Sequence, residues 1–252
     1  MTKKNLQGWQ ALLFLPVALL ISCKSHFDLV KANRQQYNIN TNVSADSAII
    51  KTYLPYKQKM DAEMNAVIGK TDTVLFKGKG AESTLGNFFA DACLSEGKKI
   101  DPNIDFAMPS TNGGLRNSLP KGNLMLSNVF ELMPFENELL VLRLKGTDLQ
   151  EILKFIAQSG GQPVSGITMN IKDKTATAVM IGGKPFDLGK TYSILTSDYI
   201  AGGGDDSFGM QHPIEKKVLG LKVRDALIKY IKNQTSEGKI ITAKLDGRIT
   251  KN

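Results

Sequence analysis

The fold centres on the stretch Thr196-Ser-Asp-Tyr-Ile-Ala-Gly-Gly-Gly-Asp-Asp-Ser-Phe208. The apolar run Tyr192 to Leu195 precedes it and predicts a strand that stops at Thr196. Three consecutive glycines permit positive φ and a close approach of backbone to a ligand, and loops at strand ends often hold small molecules in α/β proteins. Tyr199 offers an aromatic face and Asp205 two acceptor oxygens, but the same composition is also typical of a surface turn.

Strand and helix patterns alternate on both sides of this stretch. The predicted strands are Thr73 to Phe76, Ile104 to Met108, Leu139 to Leu144, the hairpin of Ile167 to Ile171 with Ala176 to Ile181, and Ile240 to Ile249. Helical spacing of apolar residues predicts helices over Ser44 to Ile68, Glu82 to Gly97 and Val218 to Asn233. The first of these most simply packs on the domain that follows. Another helix is predicted to open with a capping box formed by Thr147 and Gln150.

A second glycine-bearing loop follows the predicted strand Ile104 to Met108. Its sequence is Pro109-Ser-Thr-Asn-Gly-Gly-Leu-Arg116. The guanidinium of Arg116 is suited to forked contacts with phosphate or carboxylate, although a lone arginine is more often a solvated surface charge.

Composition limits the chemistry that the chain can support. The 252 residues are enough for one large domain or two small ones, and the formal charge of +8 comes from scattered lysines rather than a basic stripe, which argues against nucleic-acid binding. Two cysteines predict no disulfide framework, and Cys93 lies on the apolar stripe of its helix as a small buried thiol. The only histidines, His26 and His212, are too few for a zinc or two-metal hydrolase site in this chain alone.

The first 22 residues have the features of an export signal. Lys3 and Lys4 precede the apolar run Ala11 to Ile21, which is short for a membrane span. The end of this run, Leu20-Ile21-Ser22-Cys23, resembles a bacterial lipobox, which implies a lipid anchor on Cys23. A plain signal peptide or a membrane helix is the alternative. The predicted organisation is a signal peptide over 1–22, a flexible tether over 23–43 and a folded domain over 44–252, held on a bacterial envelope membrane and facing the periplasm or the surface.

Four segments in this order resemble the carboxy-terminal domain of the 5'-nucleotidase family, over roughly residues 44 to 250. They are Glu82-Ser-Thr-Leu-Gly-Asn87 with Ala90-Asp-Ala92, Asn112-Gly-Gly-Leu-Arg116, Val129-Phe-Glu-Leu-Met-Pro-Phe135-Glu-Asn137 and Asp198-Tyr-Ile-Ala-Gly-Gly-Gly-Asp205. Each segment alone is a weak indication of the family, whereas the four segments in the right order are a specific one. The resemblance implies an α/β fold of the α+β type, with layered mixed sheets and flanking helices.

The resemblance also implies a role for each matching residue. The base would stack between Phe135 and Tyr199, and stacking is worth ~1 to 3 kcal/mol per base. Asn137 would contact the base edge and Asp205 the ribose hydroxyls. The phosphate side would be formed by Arg116, Lys79 and Asn112, with close backbone approach at Gly113, Gly114, Gly203 and Gly204.

Three positions depart from the family pattern. Thr111 stands where the family usually has Asn, Lys79 where it has a second Arg, and Tyr199 where Phe is commoner. Lysine keeps the charge of arginine but loses its planar fork. Phosphate contacts are therefore expected to be weaker at Lys79, or directed at a different ligand.

The family's catalytic metals lie in a separate amino-terminal metallophosphoesterase domain, and this sequence contains no Asp-x-His or Gly-Asn-His segment. The sequence therefore assigns no catalytic residue, metal site or cofactor to this chain. The expected function is the nucleotide-binding half of a 5'-nucleotidase whose divalent metals belong to a partner metallophosphoesterase chain. A non-catalytic, nucleoside-binding envelope lipoprotein for capture or sensing is the main alternative, and a structural envelope protein is a third.

Overall fold

The computed structural model describes residues 29, 31–41 and 43–251. The predicted signal peptide and the lipid-bearing Cys23 lie outside the described residues. By its internal contacts the chain divides into two units, residues 1–50 and 51–252. In the first unit, the described residues before helix α1 (Ser47–Met64) form neither helix nor strand and are exposed. Asp46 caps the start of α1, because its Oδ1 accepts a hydrogen bond from the N–H of Ala48 at 2.8 Å.

The second unit contains three sheets with helices packed between and around them. Its helices are α2 (Thr84–Ile100), α3 (Leu126–Leu132), α4 (Gly146–Gln158), α5 (Asp198–Ala201) and α6 (Val223–Ser236). Its strands are β1 (Val67–Thr71), β2 (Phe106–Ala107), β3 (Gly122–Met125), β4 (Glu138–Lys145), β5 (Ile167–Lys172), β6 (Thr175–Ile181), β7 (Lys184–Pro185), β8 (Thr191–Ser197), β9 (Glu215–Lys222) and β10 (Ile249–Lys251). The sheet orders are β1-β3, β10-β5-β6-β7 and β2-β8-β4-β9. The predicted α+β fold with mixed sheets and flanking helices is confirmed.

The sheet β2-β8-β4-β9 lies between two hydrophobic clusters. Along β4, Leu139 and Val141 belong to the first cluster, while Leu140, Leu142 and Leu144 belong to the second. Helices α2 and α6 supply the first cluster, and α4 supplies the second. Both faces of β4 are therefore buried, which explains why its sequence is a nearly continuous apolar run.

The first family segment lies at the start of helix α2, and its polar side chains bind residues near the carboxy-terminal end of the chain. Glu82 accepts hydrogen bonds from the side chain of Asn87 at 2.8 Å and from the N–H of Gly247 at 2.9 Å. Asp91 forms a two-pronged ion pair with Arg248, with N–O distances of 2.8 and 2.9 Å, and accepts a hydrogen bond from Ser165. The polar residues of this segment thus have structural partners, and Cys93 is buried on the apolar stripe as predicted.

Four sequence predictions are wrong in part. The first helix ends at Met64 rather than Ile68, and none of its residues is buried, so it does not pack into the core. Thr73 to Phe76 is not a strand; only Leu75 forms an isolated bridge, with Leu119. In place of the terminal strand Ile240 to Ile249 there is one bridge at Ile241 and the short strand β10. The predicted helix from Val218 begins at Val223 instead, because the preceding residues form β9 and pair with β4.

The capping box at Thr147 is also absent. The cap position of helix α4 lies two residues earlier, at Lys145, so the helix begins at Gly146, and no side-chain hydrogen bond forms at the cap. The N–H of Gly146 donates to the backbone carbonyl of Lys190 at 2.8 Å, and a Cβ at this position would lie 2.6 Å from the carbonyl oxygen of Leu188. Close contact with the β7–β8 connection therefore fixes the start of this helix.

Candidate functional site

One cavity forms where three loops meet at an edge of the sheet β2-β8-β4-β9. Strands β2 and β8 are parallel and β4 is antiparallel to β8, so the ends of β2 and β8 lie beside the start of β4. The cavity has a volume of about 260 Å³. Its lining residues are Ser110, Gly113, Gly114, Arg116, Phe135, Asn137, Tyr199 and Asp205. Except for Ser110, all of them are residues that the sequence singled out.

Asp198 ties two of these loops together. Its Oδ1 accepts hydrogen bonds from the N–H of Tyr199 at 2.7 Å and from the N–H of Glu138 at 3.1 Å. The carboxylate therefore holds the start of α5 against the start of β4, which places Tyr199 near Asn137. Asp198 had no predicted role, although an acidic residue in the first turn of a helix is a recognisable start signal.

Asp205 receives hydrogen bonds on both carboxylate oxygens. The hydroxyl of Tyr199 donates to Oδ1 at 2.8 Å, and the hydroxyl of Thr111 donates to Oδ2. The pKa of Tyr199 is raised, first because its hydroxyl donates a hydrogen bond to Asp205 and, to a smaller extent, because that carboxylate is negatively charged. A carboxylate has about four acceptor sites, so about two remain for the hydroxyl groups of a ligand. Two of the three departures from the family pattern, Thr111 and Tyr199, supply donors to this one carboxylate.

The glycines near Asp205 accommodate protein side chains. A Cβ on Gly204 would lie 2.5 Å from Cε1 and Cζ of Tyr199, so the ring can pack on this backbone only if the residue is glycine. Gly203 has φ +91°, which glycine adopts without strain. Neither of these two glycines lines the cavity, whereas Gly113 and Gly114 do.

Phe135 is held by contacts with the protein core and also lines the cavity. It packs, half-buried, against the first hydrophobic cluster. Its backbone carbonyl accepts a hydrogen bond from Nη1 of the buried Arg224 at 3.3 Å, and Arg224 lies 4.2 Å from the ring centroid of Phe130. The role of Arg224 could not be inferred from the sequence, because it lies on α6 and meets Phe135 only in the folded chain.

Glu136 completes this support. Its carboxylate pairs with Lys222 and Arg224, and these hydrogen bonds, with that of Lys222 the largest, lower the pKa of Glu136 to about 2. The carboxylate is therefore ionised at neutral pH and forms an ion pair with each of the two cations. The position of Phe135 is thereby linked to β9 and α6.

The structure does not bring Lys79 and Asn112 into this cavity. Both line a second cavity of about 360 Å³, together with Gly78, Gly80, Ala81, Ser159, Gly160, Gly161 and Lys251. The side chain of Asn112 donates to the carbonyl of Gly161 at 3.0 Å, and its N–H donates to Oε1 of Gln162 at 2.8 Å. The predicted phosphate side is thus divided between Arg116 in the first cavity and Lys79 in the second.

Metal sites and membrane spans are both absent from the residues that the structure describes, 29, 31–41 and 43–251. No group of three or more His, Cys, Asp or Glu side chains there is placed to hold a metal ion. Nor does any helix in those ranges combine the length and apolar character that a membrane span requires.

Comparison with known proteins gives one consistent result. Residues 67–212 match the family model described as 5'-nucleotidase, C-terminal domain. A 5'-nucleotidase of Vibrio vulnificus is 27% identical over 185 residues, which are 70% of this chain and 32% of that protein. The cell wall protein Lmo0130 of Listeria monocytogenes is 28% identical over 184 residues, 66% of this chain and 23% of the relative.

Solved structures agree with the sequence relatives. The crystal structure of a 5'-nucleotidase precursor from Thermus thermophilus superposes with a TM-score of 0.68 and 26% identity, covering 80% of this chain and 42% of that one. The chain thus spans about a third of the length of the Vibrio relative and less than half of the Thermus one.

Proposed function

The chain belongs to the family of 5'-nucleotidase C-terminal domains, and we propose that its first cavity binds the nucleoside part of a nucleotide. The observation that carries the proposal is the convergence of two aromatic rings, an amide, a carboxylate and a guanidinium on one cavity. These residues come from three loops that are far apart in sequence.

Each group has a task that its chemistry suits. The rings of Phe135 and Tyr199 line the same cavity, and neither stacks on another ring within the part of the chain that the structure describes, so no aromatic side chain takes the place of a flat base between them. Asn137 offers a donor and an acceptor to the base edge. Asp205, oriented by two hydroxyl groups, accepts from the ribose hydroxyls. Arg116 provides the charge for a phosphate.

Hydrolysis, in this proposal, takes place on a separate metallophosphoesterase chain that supplies the divalent metals. Support comes from the kind of groups at the cavity, which are suited to binding and orienting a ligand. The nucleotide would then be held by this chain while its phosphate reaches the metals of the partner.

Reconstitution tests this division of labour. We expect the purified chain to raise the rate at which a metallophosphoesterase from the same organism releases phosphate from AMP, and Phe135→Ala to abolish most of that increase. A chain that binds AMP but leaves the phosphatase rate unchanged would contradict the shared active site and favour ligand capture instead. Robust phosphate release by the chain alone, with added Mn²⁺, Zn²⁺ or Mg²⁺, would contradict the need for a partner.

We propose the cell envelope as the location, with a lipid on Cys23 as the anchor. The similarity to a protein named as a cell wall protein is consistent with this. Cys23→Ser is expected to move the protein from the detergent phase to the aqueous phase when cells are extracted, because an acyl chain contributes about 0.8 kcal/mol per buried CH₂ to membrane binding. Retention of the variant in the detergent phase would show that another element holds the chain to the membrane.

A further inference from the structure

A cation–π contact lies at the wall of the proposed nucleoside cavity. Cζ of Arg116 is 5.2 Å from the ring centroid of Phe135, within the range of this interaction, and both residues line the cavity. Phe135 also packs against the first hydrophobic cluster. Because the guanidinium lies over the ring and both side chains line the cavity, it occupies the position that a base stacked on Phe135 would take.

Arg116 is held at its backbone but not at its side chain. Its N–H donates to the carbonyl of Leu132 at 2.9 Å. The side chain is exposed, and within the described residues the ring of Phe135 is its only side-chain partner. The five N–H donors of the guanidinium therefore remain available to an anion.

The positive charge of Arg116 also acts on the second ring of the cavity, that of Tyr199. The hydrogen bond to Asp205 raises the pKa of Tyr199, and the positive charge of Arg116 opposes that rise. The guanidinium thus lies close enough to act on both aromatic walls of the cavity.

We propose that Arg116 covers Phe135 until a phosphate group draws the guanidinium away, so that the cavity prefers nucleotides to nucleosides. This inference rests on the proposed nucleotide-binding function. A nucleoside must displace the guanidinium from the ring without giving it an anion, and losing such a contact at an exposed arginine is worth a factor of about 2 to 5 in affinity. A nucleotide supplies a phosphate, to which the planar fork of arginine can make two parallel hydrogen bonds.

If Arg116 covers Phe135 in this way, phosphate and nucleoside should each increase the affinity of the cavity for the other. Inorganic phosphate at Arg116 would expose the ring of Phe135 before adenosine arrives. By linkage, adenosine would then tighten phosphate binding by the same factor.

Titration calorimetry with adenosine on the wild type and on Arg116→Gln tests the inference. Without phosphate, we expect the variant to bind adenosine about 2- to 5-fold more tightly than the wild type. Saturating inorganic phosphate at constant ionic strength should tighten adenosine binding to the wild type by a similar factor and leave the variant unchanged, while AMP should bind the variant more weakly. Arg143→Gln is the matched control, because Arg143 is an exposed arginine that lies outside this cavity.

Equal or weaker adenosine binding by a folded Arg116→Gln variant would overturn the proposal that Arg116 covers Phe135. So would wild-type affinity for adenosine that does not respond to phosphate. If AMP still binds the wild type in either case, the nucleotide-binding function stands without the cover. If neither AMP nor adenosine binds the wild type, the proposed function fails and the cover fails with it.

Discussion

Phe135→Ala is expected to weaken AMP binding by about 5- to 150-fold, which corresponds to ~1 to 3 kcal/mol for the loss of one stacked ring. The ring is held in place by the first hydrophobic cluster below it and by Arg224 at its backbone, so a base can stack on it without first ordering the loop. The effect should appear in the dissociation constant measured by calorimetry.

Phe208→Ala is the control for this variant. Phe208 belongs to the same glycine-rich stretch as Tyr199 and is 61% exposed, but it does not line the cavity. Its removal should leave AMP affinity unchanged. Equal affinities for the wild type and Phe135→Ala would mean that the base does not stack on this ring.

Arg248→Ala is expected to lower the free energy of unfolding by about 1 to 3 kcal/mol, between the values for exposed and buried ion pairs, because the guanidinium is buried while the carboxylates of Asp91 and Asp246 are 43% and 49% exposed. The Arg248 side chain is only 11% exposed; it pairs with Asp91 and Asp246 and donates to the carbonyl of Val164 at 2.8 Å. Denaturant unfolding monitored by circular dichroism measures this change.

The matched control is Lys154→Ala. Lys154 pairs with Glu151 on the exposed face of α4, and both side chains are more than half exposed. Exposed pairs contribute about 0 to 1 kcal/mol, so this substitution should barely shift the midpoint. A small effect of Arg248→Ala, similar to that of the control, would show that the carboxy-terminal segment is held by other contacts.

The four family segments divide into two physical roles. The segment at the start of α2 has its polar residues Glu82, Asn87 and Asp91 bonded to other parts of the chain, near residues 244 to 248. The other three segments each contribute side chains to the cavity. Substitution in the first segment should therefore affect stability, and substitution in the others ligand binding.

Hydrophobic periodicity was sufficient to predict the elements whose buried faces follow from their own sequence. The apolar stripe of α2 and the continuous apolar run of β4 predict their buried faces, because burial follows directly from the spacing of those residues. Periodicity did not predict the conformation of Val218 and its neighbours, since that conformation depends on pairing with β4, which is far away in sequence.

The candidate site was predicted through resemblance rather than periodicity. Contacts between distant residues were not predictable: Thr111 with Asp205, Asp198 with Glu138, and Arg224 with Phe135. Each depends on how loops from different parts of the chain meet at the sheet edge. Such contacts have no local pattern.

A crystal structure of the chain with AMP tests the central claim most directly. The predicted result is an adenine ring between Phe135 and Tyr199, ribose hydroxyls within hydrogen-bond distance of Asp205, and the phosphate in contact with Arg116. AMP in the second cavity, with its phosphate at Lys79 and Lys251 and the two rings left uncovered, would contradict it.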